Sequence, residues 1–332
     1  MINSIQIKNY RGIKDMKIDN FKKYNIFTGD NGSCKTTVIE ALAISCTSVA
    51  SLIKVARERD FKLTQNNISS FFYNTKISEN INILINDRYE TEINIKKNSE
   101  NLFNEEYSDS EEKFLYEYIQ KDNGEIVEVT EVFIKDNGYS SRGKKYKEIS
   151  QRKNTVFITP TKIVGMTLAD SIKELIEKKR KNEILKLLNK FDPNIDDVIS
   201  DGKEIKVSLK EAEEFMPLSS LGNGIIAILE IIINILDDFD KIYIDEIETG
   251  IHYLNYPKLC TILVEILYEK EVQLFITTHS KEFIEEFCYA LREKDEELSL
   301  YRFEKIRGNQ LKQKYYSREE VLETIHEGWD VR

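Results

Sequence analysis

The sequence predicts an α/β protein with a mostly parallel core sheet, into which an antiparallel β insertion and a helical insertion have been set. Three observations carry that expectation. Near the start, a strand runs into a glycine-containing turn and then a helix; near the end, short apolar strands alternate with helices; between them, the hydrophobic period changes to that of hairpins. With 332 residues, 41% of them hydrophobic, the chain can fill a sizeable core.

Taken in order, Ser4 to Asn9 alternates as a strand, and Tyr24 to Thr28 is a β-prone run ending in a Gly/Asn-rich turn. A helix is expected from Lys35 to about Arg57, with Val38, Ala41, Leu42, Cys46, Val49 and Ile53 recurring at three- and four-residue steps on one face. From Phe61 to Ile158 the segments Ile81–Ile85, Thr91–Ile95 and Ile126–Ile134 alternate, with turn residues Asn123, Gly124, Asn137 and Gly138, as antiparallel hairpins do. Leu168 to Phe191 has helical spacing, stopped by Asp192 and Pro193. The α/β pattern then resumes: a glycine-flanked turn and apolar helix over Leu221–Asp237, a strand at Lys241–Ile244, a helix at about Pro257–Glu269, and a strand at Val272–Thr277. A hairpin (Leu298–Tyr316) and a helix (Arg318–Glu327) close the chain. The expected organisation is a discontinuous core, 1–60 with 201–332, a mainly antiparallel β insertion at 61–160 and a helical insertion at 161–200.

The longest apolar run, Ile225 to Leu236, covers twelve positions and contains Glu230 and Asn234; a bilayer span needs roughly 20 mostly apolar residues. Met1 to Lys8 lacks the apolar core and cleavage site of a signal peptide. A cytoplasmic chain with no membrane partner is the expectation. Cys34, Cys46, Cys260 and Cys288 form no C-x-x-C pair and no tetrahedral metal spacing, so reduced thiols are expected. The net charge of −10 argues against a uniformly basic nucleic-acid coat. From Ser141 to Lys190, however, 14 Lys plus Arg stand against 5 Asp plus Glu, and that stretch keeps DNA open as a partner.

Chemistry enters with G-D-N-G-S-C-K-T, Gly29 to Thr36, placed between strand and helix where a phosphate-binding P-loop belongs. Backbone N–H groups from Gly29, Asn31, Gly32, Ser33, Cys34, Thr36 and Thr37 are candidates to hold phosphate oxygens at the helix N-terminus. Lys35 would reach the β- and γ-phosphates of ATP, and Thr36 would ligate Mg²⁺. Cys34 stands where the strict pattern has glycine; its Cβ is harmless at negative φ and crowds the loop if glycine-like geometry is required. Next, K-I-Y-I-D-E delivers Asp245 and Glu246 at the carboxyl end of a strand, the edge where open α/β sheets bind ligands. Asp245 suits a magnesium partner and Glu246 a group that polarises attacking water. His279 follows a fully apolar strand, where an imidazole could hydrogen-bond a γ-phosphate. Finally, Ser219, Ser220, Gly222 and Gly224 precede a helix and form a second anion site, best suited to the nucleotide of a partner subunit. A dimer follows from that assignment.

With these segments in this order, the chain resembles the ABC-type ATPases of the RecF, SMC and OLD nuclease group over about Met1–Asp60 and Pro217–Arg332. The opening Ile7 to Ile13, I-K-N-Y-R-G-I, looks like that group's first strand, and the resemblance implies that Arg11 touches nucleotide phosphate. The runs Asp245–Tyr253 and Gln273–Ser280 are most similar to small ATPases accompanying OLD-type and PARIS-type anti-phage systems. The resemblance implies an ABC-ATPase-like head in which Thr36 and Asp245 hold Mg²⁺, Glu246 and His279 are catalytic, and Ser219, Ser220, Gly222 and Gly224 act in trans. OLD nucleases append a Toprim domain, whereas 52 residues follow Ser280 here. The leading expectation is therefore an ATP-hydrolysing switch subunit that forms a homodimer or higher homo-oligomer and controls a separately encoded effector, a nuclease, in phage defence. Two alternatives stand beside it: a RecF-like ATP-gated DNA clamp, and a non-hydrolysing nucleotide-gated scaffold motivated by Cys34.

Overall fold

The computed structural model describes residues 1–46, 51–59, 62–95, 113–135, 138–147, 155–158, 166–236, 239–268, 270–292, 294, 297–306 and 310–328. They fall into two compact units: Met1–Phe21, Asn31–Lys153 and Lys305–Leu311 make the first, and Lys22–Asp30, Asn154–Glu304 and Lys312–Arg332 the second.

In chain order the elements begin with β1 (Ser4–Tyr10), β2 (Ile13–Asp19), β3 (Tyr24–Gly29), α1 (Lys35–Cys46) and α2 (Ser51–Glu58). Five strands follow, β4 (Ile81–Ile85), β5 (Tyr89–Asn94), β6 (Lys113–Asp122), β7 (Glu125–Lys135) and β8 (Gly138–Lys145). Then come β9 (Thr155–Ile158), α3 (Met166–Glu177), α4 (Lys181–Phe191), β10 (Ile195–Ser200), β11 (Ile205–Leu209), β12 (Met216–Pro217) and α5 (Asn223–Leu236). The last third holds β13 (Lys241–Ile244), α6 (Tyr256–Tyr268), β14 (Gln273–Thr277), α7 (Lys281–Arg292), β15 (Leu298–Ile306), β16 (Gln310–Ser317) and α8 (Arg318–His326).

The first unit is built on a seven-stranded sheet in the order β2-β1-β4-β5-β6-β7-β8, antiparallel throughout. Ile5 and Ile7 of β1 face Ile83 and Ile85 of β4 across the ladder, and all four are buried, as period-two alternation on a half-covered sheet requires. α1 lies against β1 and β4. It is buried on nearly every side, Lys35, Thr37 and Glu40 included, in place of the one apolar face its three- and four-residue spacing predicts. Of the helix expected to Arg57, α1 and α2 are described on either side of 47–50, and Val49 lies outside the described residues.

The second unit carries a six-stranded sheet in the order β16-β15-β3-β14-β13-β9, with β15, β3, β14, β13 and β9 mutually parallel. Its central strands β3, β13 and β14 are buried along their whole length, and helices α5, α6 and α7 contribute to the same buried cluster. The expectation places β9 among the hairpins; it pairs Phe157 with Tyr243 in this parallel sheet, where its four residues lie in register with β13. The helical stretch Leu168–Phe191 is two helices, broken where Lys179 takes φ 63°. A small sheet, β10-β11-β12, precedes α5 and had no sequence signal strong enough to predict it. α8 opens with a capping box between Ser317 and Glu320, the reciprocal pairing that satisfies two orphan donors. No described helix is long and apolar enough to cross a membrane.

Candidate functional site

The parallel sheet sets the geometry. β3, β14 and β13 are neighbours running the same way, so their carboxyl ends lie on one edge: Gly29 at the end of β3, Thr278 and His279 after β14, Asp245 and Glu246 after β13. That edge is where ligands bind to open α/β sheets. Gly29 can only be glycine, because its φ is +129° and an added Cβ would stand 2.1 Å from the Phe303 carbonyl oxygen on neighbouring β15.

From Gly29 the chain enters the loop that opens α1. Gly32 takes φ +77° and Cys34 φ +71°, both left-handed, and the Cys34 carbonyl accepts the first helical bond from Val38 N–H at 3.0 Å. The glycine-like geometry that sequence reasoning left open at position 34 is therefore required, and cysteine adopts it at a cost of about 1 kcal/mol. Burial raises the Cys34 thiol pKa, opposed by the charge of Lys305, a hydrogen bond to Thr37, and Lys35 and Arg11, so at neutral pH it stays a thiol. Lys35 is buried, and the buried Ser33 hydroxyl finds no hydrogen-bond partner among the described residues. An orphaned hydroxyl costs about 1–3 kcal/mol of desolvation. A phosphate oxygen at this helix N-terminus would satisfy it, and in that respect the loop fits a nucleotide. Asn31 and Gly32 are exposed, and Thr36 is half-buried.

Arg11 sits in the turn between β1 and β2 at φ 50°, with its N–H bonded to Phe71 O at 2.9 Å and its guanidinium 5.0 Å from the Phe71 ring centroid. Glu40 of α1 ties the turn to the helix: Arg11 Nη1 lies 3.7 Å and Arg59 Nε 2.5 Å from its carboxylate, which also accepts the Tyr10 hydroxyl at 3.2 Å. Burial pushes the Glu40 carboxyl up, while Arg59 and then Arg11 hold it down. Tyr10, Glu40 and Arg59 went unnoticed in the sequence, because an acid inside a helix reads as a surface residue until its two arginines are seen around it.

At the other end of the edge, Thr277 organises the acids. Its hydroxyl donates to Asp245 Oδ1 at 2.6 Å and accepts the Glu246 N–H at 2.7 Å, while Asp245 N–H extends the ladder to Ile158 O at 2.9 Å. Glu246 leaves the strand at φ 50°, a strained conformation for a non-glycine residue, and is exposed. Glu248 accepts the His279 N–H at 2.6 Å and so joins the loop after β13 to the loop after β14; its second oxygen is buried without a partner among the described residues. Ser280 then caps α7 through Phe283 N–H at 3.1 Å. Thr277 and Glu248 were missed too: nothing in the buried strand Gln273–Thr277 marks its threonine as the bridge between two acids. Thr277→Val keeps the shape and removes the bridge. We expect it to lower the melting temperature by a few degrees and any turnover about tenfold, from an unsatisfied N–H worth about 1–3 kcal/mol; melting curves and phosphate release check both.

Ser219 and Ser220 end a short 3₁₀ turn, exposed together with Gly222, just before α5. An added Cβ at Gly224 would stand 3.2 Å from Gly250 O, so this turn packs closely on the turn that follows Asp245–Glu246, while at Gly222 an added Cβ would meet nothing within 4 Å among the described residues.

Residues 24–285 match the profile of a family described as AAA domain, putative AbiEii toxin, Type IV TA system. An ATP/GTP phosphatase of Helicobacter pylori is 28% identical over 333 residues, 89% of this chain and 90% of that protein. An uncharacterized protein of Methanocaldococcus jannaschii is 39% identical over 61 residues, 18% of this chain and 28% of that one. Among solved structures, an SMC head bound to the C-winged helix domain of ScpA aligns with TM-score 0.54 and 14% identity over 96% of this chain and 99% of that chain. An SMC head with an extended coiled coil, bound to the C-terminal domain of ScpA derived from Pyrococcus furiosus, aligns with TM-score 0.55 and 13% identity over 98% of each chain. The fold is that of an SMC-like ABC ATPase head.

Proposed function

This chain belongs to the AAA domain family and is a P-loop ATPase, and from that premise we propose that it is an ATP-driven switch subunit that dimerises around nucleotide and controls a separately encoded effector. The observation that carries the reading is the sheet edge on which the loop start, the Thr277-linked acid pair and the His279 loop converge.

In this reading the loop N–H groups and the Lys35 ammonium offset phosphate charge, with Arg11 as a further cation. Thr36 and Asp245 would hold Mg²⁺; both are hard oxygen donors, and the ion takes few protein ligands beside phosphate. Bound there, the ion neutralises charge on the phosphate oxygens. Glu246 accepts a proton from the attacking water, and the Thr277 bridge fixes the backbone from which it projects. His279 donates a hydrogen bond toward the terminal phosphate. Ser219, Ser220, Gly222 and Gly224 are exposed or nearly so, and serve the nucleotide of a second subunit. The resemblance to OLD-type and PARIS-type ATPases suggests that the effector is a nuclease of an anti-phage system, with 61–160 and 161–200 as insertions into the ATPase core. Left-handed Cys34 favours one other reading, a nucleotide-gated scaffold that binds and does not hydrolyse.

Phosphate release by the pure protein separates the two. We expect magnesium-dependent release from ATP, reduced at least about 100-fold by Asp245→Ala, the scale of losing one preorganised electrostatic group. Release unchanged in that variant removes Asp245 from the site, and no release by wild type with intact ATP binding favours the scaffold.

A further inference from the structure

We propose that Gly12 is a positioning residue for the phosphate-binding loop: the space left by its missing side chain is the seat of the Cys34 sulfur. The proposal rests on the reading of Gly29–Thr36 as that loop. It also explains how this chain carries cysteine at a position that demands glycine-like geometry.

Three observations support it. Cys34 takes φ +71°, and its carbonyl is committed to the first bond of α1, so its Cβ direction is set and the sulfur can leave only by turning about the Cα–Cβ bond, away from the Gly32 carbonyl and Thr37. A Cβ built on Gly12 would lie 2.6 Å from the Cys34 sulfur, and among the described residues that is the one heavy atom it would meet within 4 Å beyond its chain neighbours. Gly12 itself does not take the left-handed φ that would call for glycine on conformational grounds. Contrast Gly29, where backbone conformation and a backbone oxygen each exclude a side chain. At Gly12 the exclusion comes from the partner residue alone. Alanine at 12 would displace the sulfur from the seat in which it contacts the Gly32 carbonyl at 3.9 Å and Thr37, and so disturb the loop and the first turn of α1 together.

Cys34→Ala keeps a Cβ on the left-handed backbone and removes only the sulfur, so it isolates this contact. The test uses the full chain as wild type, Gly12→Ala, Cys34→Ala and the double variant, titrated with MgATP by calorimetry and melted without nucleotide. Gly12→Ala should weaken MgATP binding about tenfold or more and lower the melting temperature by several degrees. Between Cys34→Ala and the double variant, both differences should fall to within about twofold in affinity and about one degree. Equal losses from Gly12→Ala in both backgrounds, or no loss beside native Cys34, would overturn the pair. If Gly12→Ala is insoluble, a soluble double variant supports it and insolubility of both overturns it. Lys35→Ala is titrated alongside. Should it bind MgATP as wild type does, the loop reading has failed, and the nucleotide-free melting cycle alone decides for or against the Gly12–Cys34 contact.

Discussion

Lys35→Ala is expected to lower affinity for MgATP about 100-fold, a loss of about 2.7 kcal/mol. The magnitude follows from where the ammonium sits. Lys35 is 6% exposed at the first position of α1, so in the proposed reading its charge would act on phosphate with little screening and add to the field of the helix N-terminus. Hydrogen bonds to charged groups contribute about 1.5–3 kcal/mol, against at most about 1 for an exposed ion pair. Because the side chain is buried, truncation also threatens the fold. Lys35→Met keeps the stem, removes the charge and should lose affinity to the same degree. Calorimetry on both variants, with melting curves as control, separates a charge effect from a packing effect. Affinity retained in the methionine variant would mean that the ammonium does not face phosphate.

Much of this was legible in the sequence, and what was not has physical reasons. The strand-loop-helix run at Tyr24–Cys46, the strand ending in Asp245 and Glu246 and the strand ending at Thr277 lie where their patterns place them, because buried parallel strands are rich in apolar residues and end where polar residues or glycine begin. Periodicity misled at α1, where burial on all sides is enforced by tertiary packing against β1 and β4 and by the Glu40–Arg59 pair, neither of which leaves a local trace. It could not place β9, since four apolar residues look alike in a hairpin and in a parallel ladder, and only pairing with β13 decides. At the candidate site the motif residues were readable one by one. What sequence concealed was their scaffolding: Thr277 between Asp245 and Glu246, Glu248 on the His279 N–H, and Gly12 beneath Cys34 are contacts across long chain separations. The sequence also posed the question of the Cys34 backbone without answering it, because φ at a single loop residue is set by the turn around it.

Glu246→Gln should trap ATP and hold two subunits together, and this outcome tests most of the proposed mechanism at once. The substitution keeps side-chain shape and leaves the backbone bond to Thr277 in place, yet an amide cannot take a proton from water. Turnover should fall about 100- to 10,000-fold, the usual contribution of a positioned general base. If the exposed turn at Ser219–Gly224 completes the site of a second subunit, the uncleaved nucleotide keeps both heads engaged, and light scattering with ATP and magnesium should report the mass of a dimer. Gly222→Arg added to Glu246→Gln should return the monomer mass. The first atom of that new side chain meets nothing within 4 Å among the described residues, so the loss would arise between subunits and not from misfolding. Each subunit would still bind ATP through its own loop, measurable by nucleotide retention on the monomer. A Glu246→Gln protein whose mass is the same with and without ATP while nucleotide is trapped, or a double variant that stays dimeric, would show that closure in trans is not how this ATPase works.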